Sequence, residues 1–230
     1  PGRLTLEGYL RCTVYYQGEE GAGLCQTEQK LPFTKTLELP SFGATAWTAC
    51  VEGQTEYLNC RAVNSRRIEV RGAYGLVVSV HAQLSTEVIT ALSEGGIEQK
   101  LTTLGGVRRA ATLEKLVTIE GALTFPKPPA AILDITGTAE VRELKRMQGK
   151  AVAKGTLRAL CAWRAEGDAA LLSQTAELPF HQIVDVEGLS EDCQCLCTLA
   201  PVGFAAAEGE TAEDGSASTT LTATALLRLS

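Results

Sequence analysis

Nine residues recur at a single fixed offset. Gly8, Leu10, Arg11, Glu19, Ala22, Leu24, Leu31, Pro32 and Phe33 reappear as Gly155, Leu157, Arg158, Glu166, Ala169, Leu171, Leu178, Pro179 and Phe180, each 147 residues later and without a gap. The register continues through Leu37, Glu38 and Leu39 against Val184, Asp185 and Val186, then through Cys50 against Cys197 and Tyr57 against Phe204. An ungapped repeat of this kind is one supersecondary unit used twice, so the fold has to accommodate two copies of it.

Within each copy the period is two. Leu10, Cys12, Val14 and Tyr16 form one apolar face of "GYLRCTVYY", and Leu157, Ala159, Cys161 and Trp163 form the matching face of "GTLRALCAW". Alternation of this kind marks a half-buried strand. After an acidic, Gly-rich turn, a second strand carries Leu31, Phe33, Leu37 and Leu39 in one copy and Leu178, Phe180, Val184 and Val186 in the other, which completes a β-hairpin. Pro32 and Pro179 donate no main-chain hydrogen bond, which places each "LPF" strand at a sheet edge. An exposed edge can add a strand from another chain, so Leu31, Pro32, Phe33, Leu178, Pro179 and Phe180 are the candidate partner-binding residues.

A third strand, "RIEVRGAYGLVVSV", alternates through Ile68, Val70, Tyr74, Leu76, Val78 and Val80 and is matched by "STTLTATALLRL" in the second copy. The turn "VNSRR" precedes the first and an acidic loop precedes the second. Residues 81–154 between the copies read as further strands broken by Gly95, Gly96, Gly105 and Gly106. In "FPKPPAAILDI" the prolines end any strand, and Pro129 is placed to open a helical turn through Ile132 and Leu133. "AEVRELKRMQGKAVAKGTLRALCAW" reads as two strands joined near Gly149. The expected architecture is all-β: two tandem β-sandwich-like domains built by internal duplication, residues 1–125 and 126–230.

Composition narrows the range of functions. A net charge of −6 and a pI near 5.1 argue against nucleic acid or an anionic membrane as the main partner. No apolar run approaches the roughly 20 residues that span a bilayer, and a chain opening on Pro1 reads as an internal fragment with no membrane insertion. The eight cysteines lie in apolar, strand-like runs and not at loop corners, as buried thiols do in a reducing cytosol.

The order of "LPF", a tail such as "VDVEG", a "KPP…IL" element and a long alternating strand resembles the SPOCS domain, which occurs in tandem in the SipL-like spore-envelope morphogenesis proteins of endospore-forming bacteria. The resemblance implies a non-enzymatic scaffold or adaptor in spore coat assembly. It would work in the mother-cell cytoplasm at the developing spore surface. Its partners would be coat morphogenetic proteins, among them the ATPase of the coat's basement layer, with homo-oligomerisation left open. Members usually end in a LysM module, which residues 1–230 do not contain, and in the first copy "ELPSFG" replaces the "DVEG" ending.

Searching for chemistry yields little. The sequence holds no G-x-S-x-G, P-loop, G-x-G-x-x-G or H-E-x-x-H signature, and no catalytic residue, cofactor or metal is expected. Of its two histidines, His181 lies inside the second LPF motif, where the first copy has Thr34, and this reads as a surface variant. "CQCLC" (Cys193, Cys195, Cys197) would place three thiols on one strand face at about 6.5–7 Å spacing, too far apart for one tetrahedral zinc. Packing is the expected role of these cysteines, with Ala46, Thr48 and Cys50 at the matching positions. The carboxylates Glu19, Glu20, Glu166 and Asp168 fall in turns, where solvated charge is ordinary. The alternative function is a peptidoglycan- or carbohydrate-binding module using exposed aromatics, for which Trp47, Tyr57 and Tyr74 are available and Trp163 is expected in the core.

Overall fold

The computed structural model describes all residues except 1, 19–23, 42, 94, 101, 104, 107–110, 166, 169, 208 and 214. Among the described residues the chain forms eleven strands and no helix. These are β1 (Arg3–Gln17), β2 (Leu24–Glu38), β3 (Ala46–Asn64), β4 (Arg67–Gln83), β5 (Leu113–Phe125), β6 (Pro129–Met147), β7 (Lys150–Ala165), β8 (Leu172–Asp185), β9 (Cys197–Ala206), β10 (Glu210–Thr211) and β11 (Ala217–Leu229). The all-β expectation holds.

The repeated sequence forms hairpins β1–β2 and β7–β8, and the two share one register. Leu39 N–H donates to the Gly2 carbonyl at 2.9 Å, and 147 residues later Val186 N–H donates to the Gly149 carbonyl at 2.9 Å. Both glycines have positive φ, 81° and 72°, a conformation that a Cβ disfavours. Further along, a Cβ on Gly8 would sit 3.1 Å from the Phe33 ring, and one on Gly155 would sit 2.6 Å from the Phe180 ring. Gly155 and Phe180 are direct cross-strand partners. The glycine leaves a flat seat for its partner's ring, so the recurring Gly and LPF residues are two halves of one contact.

Compact packing divides the chain into residues 1–10 with 30–105, and residues 11–29 with 106–230. This does not follow the 1–125 and 126–230 boundary. Strand β5 ends at Phe125 yet pairs with β11 along its whole length, from Leu113 opposite Leu229 to Phe125 opposite Ala217.

The second unit has a closed core between two sheets. One runs β6-β7-β8; in the other, β11 lies between β5 and β9, with the short β10 also paired to it. Val117, Ile119, Leu123 and Phe125 of β5 and Leu221, Ala223, Ala225 and Leu227 of β11 face Leu157, Cys161 and Trp163 of β7 and Leu178 and Phe180 of β8, all buried. Phe125 and Trp163 meet edge to face across the core, their ring centroids 4.9 Å apart. At the sheet margins β8 runs beside β5, and β6 beside β9. Residues 11–29 also belong to this unit, and Tyr15 donates its hydroxyl hydrogen to the Leu133 carbonyl at 3.1 Å.

The first unit contains the two-stranded sheet β3-β4 and the base of the β1–β2 hairpin. None of its described residues is fully buried. Its strands carry the same kind of alternation, yet Tyr74, Leu76, Val78 and Val80, which stand 147 residues before the buried Leu221, Ala223, Ala225 and Leu227, are half-buried or exposed.

Three local expectations are corrected. Pro129 begins strand β6 and not a helical turn, because a missing amide costs nothing at a strand's first residue. Among the described residues, 84–112 hold no strand; the further strands between the copies begin only at Leu113. The 19-residue β3 has no counterpart in the expectation, since its run of Glu52, Gln54, Glu56 and Asn59 breaks the apolar alternation on which strand reading relies. The turn near Gly149 and the turn between Asn64 and Arg67 fall where expected, the latter held by Arg66 N–H donating to Asn64 Oδ1 at 2.9 Å.

The two glycine seats differ in how much they tolerate. A Cβ on Gly155 would lie 1.9 Å from the Glu140 carbonyl oxygen, which is backbone and cannot move aside, whereas a Cβ on Gly8 meets only the Phe33 ring. Gly155→Ala is therefore expected to destabilise the fold by about 1–3 kcal/mol or more, and Gly8→Ala by less than about 1 kcal/mol. Denaturant midpoints of the two variants check the order; equal losses would contradict it.

Candidate functional site

Among the described residues the two LPF segments lie in strands that have a hydrogen-bonded ladder on one side only: β2 pairs with β1, and β8 closes the order β6-β7-β8. Their side chains have different surroundings. In the first copy Leu31 and Pro32 are exposed and Phe33 is half-buried over Gly8. In the second, Leu178 and Phe180 are core residues, and only Pro179, opposite Thr156, is exposed. A partner at the β8 edge would thus meet main chain and Pro179, since Leu178 and Phe180 are already committed to the core.

On β3–β4, Trp47 opposite Ala82, Val51 opposite Val78 and Tyr74 opposite Thr55 share one face. Trp47 is 57% exposed, and it lines a shallow cleft of about 220 Å³ with Gly2, Arg3, Leu39, Pro40 and Val80. The Tyr74 ring lies over Gly53, where an added Cβ would come within 2.4 Å of it. Tyr57, on the far side of a register shift, pairs with Ala73 and falls on the opposite face, so the three aromatics do not form one strip. Trp163 is in the core, as its apolar alternation indicates.

Strand pairing corrects the matching of the cysteines. Cys197 opens β9 opposite Leu229, whereas Cys50 pairs with Ser79. The residue 147 positions before Leu229 is Ala82, and its partner is Trp47; by strand pairing Trp47, not Cys50, occupies the place of Cys197. The segment connecting β2 to β3 is shorter than the one connecting β8 to β9, and it is in this segment that the sequence register slips.

Of "CQCLC" only Cys197 lies in a strand. Residues 191–196 form a turn and loop, held by the Cys193 carbonyl accepting from Arg146 and by paired main-chain bonds between Leu196 and Ser230. Cys193, Cys195 and Cys197 are half-buried against the core. A hydrogen bond from Ser190, whose Oγ lies 3.3 Å from the sulfur, holds the Cys193 thiol below its ordinary pKa. Burial pushes Cys195 and Cys197 up. Cys161, deeper in the core, is pushed up to about 11, chiefly by burial and secondarily by the charge of Asp134. Tyr15 reaches about 12 by burial and then by the neighbouring Asp134 carboxylate. Among the described residues no His, Cys, Asp and Glu side chains cluster as metal ligands.

His181 is exposed on β8 opposite Lys154, and His81 is exposed on β4 opposite Thr48. Asp168 accepts from Ala170 N–H at 2.9 Å, which gives it a turn-forming role. Glu19, Glu20, Ala22, Glu166 and Ala169 lie outside the described residues. No described helix is long and apolar enough to cross a membrane. No family model, curated protein or solved structure matches the chain.

The thiols differ enough to be ranked. At neutral pH iodoacetamide is expected to modify Cys193 well before Cys161, as peptide mapping would show; the reverse order would contradict the assignment. Folding raises the Cys161 pKa from 9.0 to about 11, so its proton stabilises the fold fully below pH 9.0, and that contribution is lost as pH rises toward about 11. The denaturant midpoint should fall across that window, and less steeply in Cys161→Ala.

Proposed function

We propose that the chain is a non-enzymatic scaffold or adaptor of the bacterial spore envelope, built from two SPOCS-like repeats and acting through protein–protein contacts. The observation that carries this reading is the recurrence, 147 residues apart, of the same main-chain bond, the same positive-φ glycine and the same glycine seat under the LPF phenylalanine. Of these residues Phe33, Phe180 and Val186 fall in the LPF and VDVEG segments on which the resemblance to the SipL-like proteins rests. They define the hairpin itself, which makes a chance coincidence of short motifs a poor explanation. By that reading the protein acts at the surface of the developing spore in the mother cell, with coat morphogenetic proteins as partners. The LPF edges offer main chain to them, and Pro32 and Pro179 limit uncontrolled pairing.

A second reading, a cell-wall binding module, is favoured by one observation: the exposed indole of Trp47 beside Arg3 in a shallow cleft. An indole face offers sugar rings a stacking surface. The two readings separate in one experiment, a pull-down from sporulating-cell lysate with the 230-residue protein, run beside sedimentation with purified peptidoglycan. Identification of the coat basement-layer ATPase or another coat protein, with no sedimentation, is the expected outcome. Sedimentation abolished by Trp47→Ala, with no coat protein recovered, would replace the scaffold by the wall-binding module.

A further inference from the structure

We propose that Cys193 and Cys195 are a dithiol site for small disulfide compounds, in which Cys193 attacks, Cys195 resolves, and the product is a reversible Cys193–Cys195 disulfide. The site lies wholly in the second unit and does not depend on the scaffold reading.

The arrangement follows from how the loop 186–196 is tied down. Gly149 N–H donates to the Leu189 carbonyl at 2.9 Å, and Cys193 N–H donates to the Ser190 carbonyl at 3.2 Å, so the chain turns at Cys193. At the far end Leu196 and Ser230 exchange two main-chain bonds, at 2.8 and 3.0 Å, just before Cys197 opens β9 opposite Leu229. Gln194 and Cys195 lie between these anchors and outside any strand. All three thiols nevertheless pack against one core, so Cys193 and Cys195 reach the same side of the loop. Two residues of chain hold their Cα atoms within about 7 Å of each other, and a disulfide takes about 4.4–6.8 Å. Closing the bond therefore needs only a small adjustment, in a stretch that belongs to no strand.

The two thiols are unequal in the way that exchange requires. Ser190 Oγ, 3.3 Å from the Cys193 sulfur, stabilises its thiolate, and the Arg146 guanidinium, which also donates to the Cys193 carbonyl, adds a positive charge. Cys193 is thus the better nucleophile at neutral pH. Burial keeps Cys195 protonated; Arg146 offsets part of this, and the charge of a Cys193 thiolate adds to it. That repulsion vanishes once Cys193 is a neutral mixed disulfide, so Cys195 ionises second. In the first step the Cys193 thiolate attacks one sulfur of a disulfide RSSR, forming Cys193–S–S–R and releasing RS⁻. In the second, Cys195 gives up its proton and attacks the Cys193 sulfur, which expels a second RS⁻. The protein loses two electrons and two thiol protons, and RSSR becomes two RSH. Cys197 is a poorer partner: burial raises it too, and the Leu196–Ser230 bonds and the β9 ladder fix its position relative to Cys195.

The test uses the intact 230-residue protein, reduced and then exposed to glutathione disulfide as the probe. Free thiols are blocked with iodoacetamide; oxidised ones are then released by reduction, labelled with N-ethylmaleimide and located by tandem mass spectrometry, which reads Cys60, exposed on β3, separately. Intact mass before reduction distinguishes a protein disulfide from a glutathione adduct. The expected product is a Cys193–Cys195 bond with no glutathione retained on either thiol, reversed by dithiothreitol. Cys195→Ser should stop at a glutathione adduct on Cys193, and Cys193→Ser should slow oxidation of Cys195 by about tenfold or more. Ser190→Ala should move the pH profile of Cys193 alkylation upward, which loosened packing alone would not do. Four results would overturn the proposal: no oxidation of either thiol; a stable glutathione adduct on Cys193 in the unsubstituted protein; a bond from Cys195 to Cys197; or a disulfide-linked dimer through this loop. All four are read on the unsubstituted protein, so a variant that fails to fold does not blunt the test.

Discussion

The seating of a phenylalanine ring on a cross-strand glycine is the contact on which the described architecture turns. A side-chain period of two means that a one-residue slip would exchange every inward residue for an outward one. Gly155 under Phe180 opposes such a slip, because an added Cβ there would lie 1.9 Å from the Glu140 carbonyl oxygen. With the register fixed there, Leu157 meets Leu178, Ala159 meets Ala176, and Trp163 reaches Phe125 of the facing sheet. The same seat in β1–β2 sets the same register, closed at its end by Gly2 and Leu39.

From that shared hairpin the two units diverge. Strands β5 and β6 supply the second with the outer neighbours of β11 and β7, and its aliphatic residues are buried, each worth about 1.5–3 kcal/mol relative to exposure. The first unit keeps the alternation, but no such neighbours lie among its described residues, and its apolar residues are half-buried or exposed there.

Much of this was legible in the sequence, and what was not has physical reasons. The hairpins were readable because Leu10, Cys12 and Val14 and their counterparts alternate cleanly, and because proline restricts where a strand can lie. The Gly2 and Gly149 pair has a 147-residue spacing as plain as that of Gly8 and Gly155, but a lone glycine carries no apolar signal that marks its role. Strand β3 was hidden by polar residues on both of its faces, which solvent tolerates in a two-stranded sheet. Trp47 is legible as an aromatic available for binding, but its correspondence with Cys197 rests on strand pairing, since a length difference in the preceding loop shifts the register without leaving a local trace. The sequence puts the half-buried thiols of "CQCLC" on a strand because alternation alone does not distinguish a strand from an extended loop leading into one.

Native-state hydrogen exchange on the protein alone tests the central claim most directly, namely that one hairpin design is completed in the second unit and left open in the first. Amides of β5, β7 and β11 should exchange only by global unfolding, while those along the outer edge of β4 exchange faster by local opening. Uniform protection of β4 and β11 would contradict the account, because it would mean that the first unit possesses the cover strand assigned only to the second.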